Sequence, residues 1–336
     1  MILQTIWFLL IGLLLTIYAI LDGFDLGTGF WSFFVKDDRD MRILLNSVGP
    51  TWDGNEVWLL TGGGALFAAF PHVYATVFSG FYLAMMLVLF SLIFRAVSME
   101  YRSKVDSSGW RGGWSLAFSL GSTLPALLFG VALGNVMRGV PMDSGHTFTG
   151  TFFTLLNPFA LVIGLTGFAM FLVHGALWIW MKTGDDLSKR ALSWAKASWI
   201  ALILLFFVST AMAFGMEAHL TKNFMSHPVL WIIPVLTLIF MILTRVCMSK
   251  GHEFRTFIWS ALTIAGLMGI VGASLYPNML PATQGTSLTI ANASSSQLTL
   301  GWMLGMALIG TPLVLIYQGW AYKKFSGKVV FDEEGY

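Results

Sequence analysis

The chain has 336 residues, of which 56% are hydrophobic and only 11% are charged. A soluble domain typically carries about 25% charged residues, so this composition excludes an ordinary water-soluble protein and indicates a membrane protein. The net charge of +2 is too small to indicate a nucleic-acid-binding protein, and the single cysteine, Cys247, excludes an internal disulfide bond or a cysteine metal cluster.

Nine apolar runs are long enough to cross a bilayer, which requires about 20 residues per helix. They lie at 5–34, 51–70, 76–97, 114–137, 152–181, 193–216, 229–248, 255–276 and 300–322. The first run is too long, and too weakly basic at its start, for a cleaved signal peptide, so we predict that it is the first span. The second is barely long enough, but it follows Gly49-Pro50, a favourable start for a helix.

The basic residues give this nine-span topology a direction. When the loops alternate between the two sides of the membrane, 17 of the 19 Lys and Arg residues fall on one side and the remaining two, Arg138 and Lys222, on the other. Basic residues accumulate in cytoplasmic loops. We therefore predict that the amino terminus lies outside and the carboxy terminus lies in the cytoplasm. The outer loop 277–297 is rich in Ser, Thr and Asn, and we expect a polar cap or a partner contact there.

A short internal repeat suggests how the spans are organised. Ile11-Gly12 recurs 152 residues later as Ile163-Gly164, and with the same offset Asp22-Gly23 corresponds to His174-Gly175. Four helices separate the two copies, so both copies run in the same direction, as in parallel repeats of membrane proteins. We predict two four-helix halves, 1–150 and 151–280, followed at 281–336 by a periplasmic loop, an extra ninth helix and a cytoplasmic tail. Chance remains an alternative explanation for so short a match.

Asp22 and Asp25 lie inside the first apolar run. Asp25 is nine residues from the predicted end at Phe34, which is about 14 Å along a helix axis. An isolated Asp in mid-membrane costs at least about 2.5–3.5 kcal/mol on insertion scales, so we expect both side chains to face protein or water rather than lipid. Gly23 and Gly27 form a GxxxG pair, which favours close approach of another helix.

Asp53 and Glu56 begin the second run, three residues apart on one helix face. One interpretation is that Asp53 only stabilises the helix amino terminus and its dipole. The alternative is that four acids on two adjacent spans, all in the cytoplasmic half, form a cluster that binds protons or cations. Close like charges raise the affinity of such a cluster for at least one proton.

Three further residues follow on the same side, and one histidine lies within the membrane. Arg95 ends the third run, and Glu100 and Lys104 come after it, four residues apart. They form either an ordinary interfacial ion pair or an entrance to the acid cluster. His174, in the fifth run, either ligates heme or hydrogen-bonds a neighbouring helix. Because no second membrane histidine has a supporting motif, a two-histidine heme site within this chain is not predicted, and neither is a metal site.

Eight segments distributed along the chain give a family resemblance. They are Leu21–Gly27, Asn46–Trp58, Gly63–Ala69, Phe78–Tyr82, Tyr101–Lys104, Gly134-Asn135 with Gly139–Pro141, Leu155–Phe159 and Ser295–Leu300. In these segments, which occur in family order from the first span to the ninth, the chain resembles subunit II of cytochrome bd-type quinol oxidase. The match covers essentially the whole chain.

The resemblance implies an all-α, multi-pass subunit of a terminal oxidase in the bacterial cytoplasmic (inner) membrane. It implies nine spans, arranged as two four-helix bundles and a peripheral helix. The family oxidises quinol and reduces dioxygen to water. Its two b-type hemes and one d-type heme are ligated by subunit I, the implied partner, and none by this chain. Small single-span accessory subunits, and a structural quinone bound in this subunit as in some members, are left open.

The resemblance also implies that subunit II supplies a proton route from the cytoplasm toward the hemes. Asp53 matches the central acid of that route, Lys104 matches its basic entrance residue, and Glu100 stands where other members carry an aspartate. Tyr336, the last residue, matches a carboxy-terminal tyrosine more loosely. Glu56 replaces a glutamine of some members, so its role is open.

We therefore predict a route in which Asp53 acts together with Glu56, Asp22 and Asp25. Trp52 and Arg95 are candidate contacts to a structural quinone or to the heme side. From the residues alone, a proton- or cation-coupled transporter with parallel repeats also fits the buried acids. A third interpretation is a scaffold subunit whose acids only cap helices and pack.

Overall fold

The computed structural model describes residues 1–329, which are almost entirely helical. The α-helices are α1 (Ile2–Trp31), α2 (Asp38–Val48), α3 (Trp52–Ala69), α4 (Pro71–Gly80), α5 (Tyr82–Tyr101), α6 (Ser108–Arg138), α7 (Pro158–Lys182), α8 (Asp185–Met216), α9 (Lys222–Ser226), α10 (Ile232–Ser249), α11 (Glu253–Leu275) and α12 (Gln297–Lys324). Eight of these, with short extensions of α1 and α10, are long and apolar enough to cross a membrane: α1, α5, α6, α7, α8, α10, α11 and α12. The prediction of a multi-pass membrane protein is confirmed.

The second predicted run, 51–70, forms α3, but α3 is not one of the eight apolar helices. It has 18 residues, and its first two turns carry Asp53, Asn55 and Glu56, which lower its hydropathy. It packs lengthwise against α1. By length and composition the described chain therefore has eight candidate spans rather than nine.

The third predicted run, 76–97, proves to be parts of two helices. Pro71 occupies the first turn of α4, where proline is favoured, so a helix begins in the gap between the second and third predicted runs. The α4 helix ends at Gly80, and α5 begins at Tyr82. A Cβ atom on Gly80 would lie 2.8 Å from the Phe148 side chain, which packs against this break. The sequence is equally apolar on both sides of the break, so hydropathy alone does not reveal where α4 ends and α5 begins.

Helix α7 lies at the centre of the molecule and contacts α1, α6, α8 and α11. Its close contact with α1 depends on glycines, which have no side chain to separate the two helices. A Cβ atom on Gly27 would overlap the backbone carbonyl of Phe171, and one on Gly175 would overlap the backbone of Gly27. A Cβ atom on Gly23 would lie 2.8 Å from the Phe171 ring. The predicted close approach at the Gly23 and Gly27 pair is confirmed.

Four short strands form a cap at the end of the bundle that we predict to face outward. They are β1 (Val140–Pro141), β2 (Asn278–Leu280), β3 (Ala282–Gln284) and β4 (Leu288–Thr289), with β1 parallel to β3 and β2 antiparallel to β4. The loop 277–297 thus packs on its own chain, where Ser295 Oγ donates a hydrogen bond to the carbonyl of Ala68 at 2.6 Å. These strands are the exception to the all-α prediction, and contact of this cap with a partner stays a prediction.

Helix α2 is anchored through Asp38 on the predicted cytoplasmic side. Asp38 lies 3.1 Å from Arg42 Nε and 2.5 Å from Arg102 Nη2. Burial alone would raise the pKa of Asp38, but the hydrogen bonds from Arg102 and Arg42 outweigh it and lower that pKa below its ordinary value. This contribution to stability is present at neutral pH and is lost only as the pH falls through the lowered pKa.

Replacing Gly27 by Ala should separate α1 from α7, because the new methyl group has backbone rather than a flexible side chain in its way. We expect a destabilisation of at least about 1–3 kcal/mol, the usual cost of overpacking. It should appear as a lower thermal unfolding midpoint of the purified complex. Gly12→Ala is the matched control, since a Cβ atom on Gly12 has no neighbour within 4 Å. Equal midpoints for the two variants would contradict the close packing.

Candidate functional site

A buried ion cluster joins three helices and consists of Arg95 on α5, Asp22 on α1 and Glu56 on α3. Arg95 Nη1 lies 2.8 Å from Asp22 Oδ1, and Arg95 Nη2 donates a hydrogen bond to Glu56 Oε1. The side chains of Arg95 and Asp22 are 1% and 0% exposed, and that of Glu56 is 23% exposed. We call these three residues the Arg95 cluster.

The local sequence explains why Arg95 is buried. Helix α5 continues to Tyr101, six residues beyond Arg95, so Arg95 lies inside the span and not at its end as expected from the apolar run. Gly121 of α6 lies directly against this turn, where a Cβ atom would be 2.8 Å from the Arg95 backbone nitrogen. The small residue lets α6 cover the base of the Arg95 side chain, which leaves the guanidinium to point toward α1 and α3.

Asp25 lies one turn from Asp22 on α1 and is 2% exposed. Its Oδ2 accepts a hydrogen bond of 2.7 Å from Asn55 Nδ2 on α3, whereas its Oδ1 has no hydrogen-bond partner within the described residues. The ion pair of Asp22 with Arg95 is close in distance, but its angle is not that of a hydrogen bond. Both aspartates face protein and not lipid, as predicted.

The buried charges do not balance. Asp22, Asp25 and Glu56 are three carboxyl groups, and the guanidinium of Arg95 pairs with two of them. Uncompensated charge is costly in a dry interior, so a buried carboxylate is normally paired or takes up a proton. Three carboxyl groups around one fixed positive charge therefore form an arrangement suited to holding protons.

Asp53, Glu100 and Lys104, the predicted outer members of the route, are exposed. Asp53 occupies the first turn of α3, three residues before Glu56, so the two side chains share a helix face. The N-cap residue of α3 is Thr51, whose side chain makes no capping hydrogen bond, and Asp53 lies in the first turn, where an acid also favours the helix dipole. Within residues 1–329 the structure shows no ion pair between Glu100 and Lys104, and their place at the entrance stays a prediction.

The remaining predicted residues lie apart from this arrangement. Trp52 is half-buried and packs against the central apolar core. Tyr336 lies outside the described residues. His174 binds two other helices, with Nδ1 2.6 Å from Ser260 Oγ on α11 and Nε2 3.0 Å from the carbonyl oxygen of Ile20 on α1. Of the two interpretations of His174, the structure shows hydrogen bonds to neighbouring helices, and both ring nitrogens are engaged in them.

Sequence reasoning missed three polar residues that complete the site. Asn55 is fully buried between α1 and α12, and Gln318 and Tyr322 reach it from α12. The available signal was the rarity of polar residues in an apolar run, since Gln318 lies within 300–322. Polar side chains that lose water inside a bilayer need partners within the protein, so polar residues in an apolar run are candidate site residues.

The family model for cytochrome bd terminal oxidase subunit II matches residues 3–325 of this chain. The chain belongs to this family. It is 37% identical to cytochrome bd-I ubiquinol oxidase subunit 2 of Escherichia coli strain K12, with 99% of this chain and 96% of that protein covered. It is 33% identical to cytochrome bd ubiquinol oxidase subunit 2 of Bacillus subtilis strain 168, with 98% of each covered.

A solved structure supports the fold. The chain is similar to one in the structure of bd oxidase from Geobacillus thermodenitrificans, with a TM-score of 0.80, 17% sequence identity, and coverage of 97% of this chain and 99% of that chain. At that identity the likeness concerns the fold alone. Family membership confirms the resemblance found in the motifs. Together with the eight apolar helices, it identifies a multi-pass protein of the bacterial inner membrane.

Replacing Arg95 by Gln should leave the buried Asp22 and the partly exposed Glu56 without their cation. Removing one partner of a buried ion pair typically costs about 3–5 kcal/mol, so we expect a large fall in the yield and thermal midpoint of the assembled complex. Glu56→Gln is the matched control, because Gln still offers an oxygen to Arg95 and removes only excess negative charge. Its midpoint should stay near that of the parent. A Glu56→Gln variant as damaged as Arg95→Gln would contradict the charge balance described above.

Proposed function

We propose that this chain, as subunit II of a cytochrome bd-type quinol oxidase, carries protons from the cytoplasm toward the heme-bearing subunit I. One observation carries the proposal: the Arg95 guanidinium pairs with the buried Asp22 and the partly exposed Glu56. The buried Asp25 lies one turn from Asp22, and the exposed Asp53 lies one turn from Glu56. A subunit that only filled space would gain stability from apolar side chains at these positions. The cost of burying acids in a bilayer favours a function for them.

The proposed topology places this site on the cytoplasmic side. The 17-to-2 distribution of basic residues favours an outer amino terminus and a cytoplasmic carboxy terminus. With these ends, α3 also crosses the membrane, which brings the number of spans from eight to nine. Its 18 residues extend about 27 Å, close to the thickness of the hydrocarbon core. The two four-helix bundles are then residues 1–150 and 151–280. The α12 helix is peripheral, which agrees with its having only Leu300 and Gln318 buried.

Reduction of one dioxygen to two waters takes four electrons and four protons, and oxidation of two quinols supplies the electrons. In this proposal the hemes, two b-type and one d-type in subunit I, carry out the electron chemistry when bound. This chain's residues move the protons. Glu100 and Lys104 lie at the entrance, Asp53 accepts the proton from the cytoplasmic side, and Glu56 passes it to the buried aspartates. Uptake from the cytoplasm makes the reaction electrogenic.

The other predicted partners are part of the same proposal. Subunit I covers the exposed face of α3 that carries Asp53, and lipid covers the apolar outer faces. A structural quinone beside Trp52 or Arg95, and small single-span accessory subunits, stay predictions. Both hydrogen-bonding ends of the Arg95 guanidinium already point toward Asp22 and Glu56, which makes Trp52 the more available of the two for a quinone.

Two alternatives are separated by different observations. Membership of an oxidase family along nearly the whole chain does not favour a proton- or cation-coupled transporter. A scaffold subunit, whose acids only pack, belongs to the same family and is separated from a proton-conducting one by mutation.

Replacing Asp53 by Asn should stop proton transfer at a group whose side chain shows no hydrogen bond or ion pair within residues 1–329. We expect quinol oxidase turnover to fall at least about 100-fold, the usual range for losing a proton-transfer group, with the complex still inserted in the membrane. The measurement is oxygen consumption normalised to heme content. Asp186→Asn is the matched control, since Asp186 is exposed and forms its surface ion pair with Lys189. Full activity of Asp53→Asn at normal heme content would refute the route and leave the scaffold interpretation.

A further inference from the structure

Asn55 is the hydrogen-bonding centre between α1, α3 and α12. Its Nδ2 donates to Asp25 Oδ2 at 2.7 Å and to the carbonyl of Leu21 at 3.2 Å, both on α1. Its Oδ1 accepts from Tyr322 Oη at 2.6 Å and from Gln318 Nε2 at 3.3 Å, both on α12. A carboxamide has two donor hydrogens and two acceptor lone pairs, so the hydrogen-bonding capacity of Asn55 is fully used.

The direction of this network is set at one end. Trp58 Nε1 donates to Gln318 Oε1 at 2.7 Å, and an indole nitrogen can only donate. Gln318 must therefore turn its amide nitrogen toward the oxygen of Asn55, and Asn55 must turn its own nitrogen toward Asp25. The chain of hydrogen bonds from Trp58 through Gln318 and Asn55 to Asp25 thus runs in one direction. It delivers a donor to one oxygen of Asp25.

The consequence for Asp25 is an asymmetric carboxyl group. Its Oδ2 accepts the hydrogen bond from Asn55 whether or not the group carries a proton, because a protonated carboxyl still has an accepting carbonyl oxygen. Its Oδ1 is buried and has no partner in the described part of the chain. A proton arriving at Asp25 forms its O–H bond at Oδ1, and the same bond breaks when the proton leaves.

The α12 helix contributes to this arrangement in an unusual way. Along its 28 residues only Leu300 and Gln318 are buried, so most of the helix is exposed or half-buried. Gln318 and Tyr322 are four residues apart and therefore lie on one face, and both end on Asn55. Near its carboxyl end this otherwise exposed helix thus presents its polar side chains to one amide.

We propose that Asn55 is a positioning residue for proton transfer at Asp25, and that α12 holds it in place through Gln318 and Tyr322. This inference rests on the proposed function and deepens it. It assigns the buried proton-carrying step to Oδ1 of Asp25 and gives the last helix a part in proton delivery. Because a donor stabilises a carboxylate more than a carboxylic acid, Asn55 also favours release of the proton from Asp25.

The test uses the purified, heme-loaded oxidase complex and the pH dependence of its turnover. Asn55→Leu removes the donor with little change in volume, so Asp25 should hold its proton more firmly. We expect the curve of turnover against pH to shift to higher pH by about one unit. Turnover at neutral pH should fall about tenfold at unchanged heme content. Tyr322→Phe removes one hydrogen bond to Asn55 and should move the profile in the same direction by less. Tyr317→Phe is its matched control, because Tyr317 lies on the exposed face of α12.

Infrared difference spectra between high and low pH provide a second readout that does not depend on turnover. The carboxylic acid band that disappears in Asp25→Asn should shift in Tyr322→Phe and stay in place in Tyr317→Phe. Once Asp25 is Asn, adding Asn55→Leu should change turnover no further. Loss of heme or yield with an unchanged pH profile and unchanged band would overturn the inference and leave Asn55 a structural residue.

The outcomes also separate this inference from the proposed function. If Asp53→Asn is inactive but Asn55→Leu and Tyr322→Phe have the parental pH profile, the positioning role of Asn55 is refuted and the proton route is retained. A fully active Asp53→Asn variant would refute the proton route itself, and with it the role of Asn55.

Discussion

A guanidinium buried within a bilayer must keep its negative partners, and this requirement organises the first half of the chain. Arg95 on α5 pairs with Asp22 on α1 and Glu56 on α3, so three helices meet at one side chain. Without the pair, each group would carry the cost of an isolated charge in a dry interior. The contacts around it follow from this meeting point: α6 closes over Arg95 at Gly121, and α1 continues against α7 at Gly27.

The same constraint connects structure to function through charge. One fixed positive charge pairs with two carboxyl groups, a third lies one turn away on α1, and protons are the small, exchangeable charges that can complete the balance. Rigid packing around the cluster is useful here because proton transfer depends on donor and acceptor staying in line. Glycine contacts on α1, His174 between α1 and α11, and the amide network from α12 each hold the segment that carries Asp22 and Asp25.

Much of the fold follows from the sequence, because spans and loops are matters of composition. The acids of α1 and α3 were also predictable, since an acid in an apolar run is conspicuous. Arg95 was wrongly predicted to end a span. Its pairing depends on how three helices pack, and hydropathy does not predict helix packing. The break at Gly80 was hidden for the same reason. Asn55 lay inside a recognised motif, but its importance depends on Gln318 and Tyr322, more than 260 residues away.

The most direct test of a cytoplasmic proton route is to follow the protons themselves. Inside-out membrane vesicles expose the cytoplasmic face, and a membrane-impermeant pH dye reports proton uptake there during a pulse of oxygen. The parent oxidase should take up protons in step with oxygen reduction, and a complex with Asp25→Asn and normal heme content should take up few. Uptake at the parental rate and extent in that variant would contradict a route through the buried acids of this subunit.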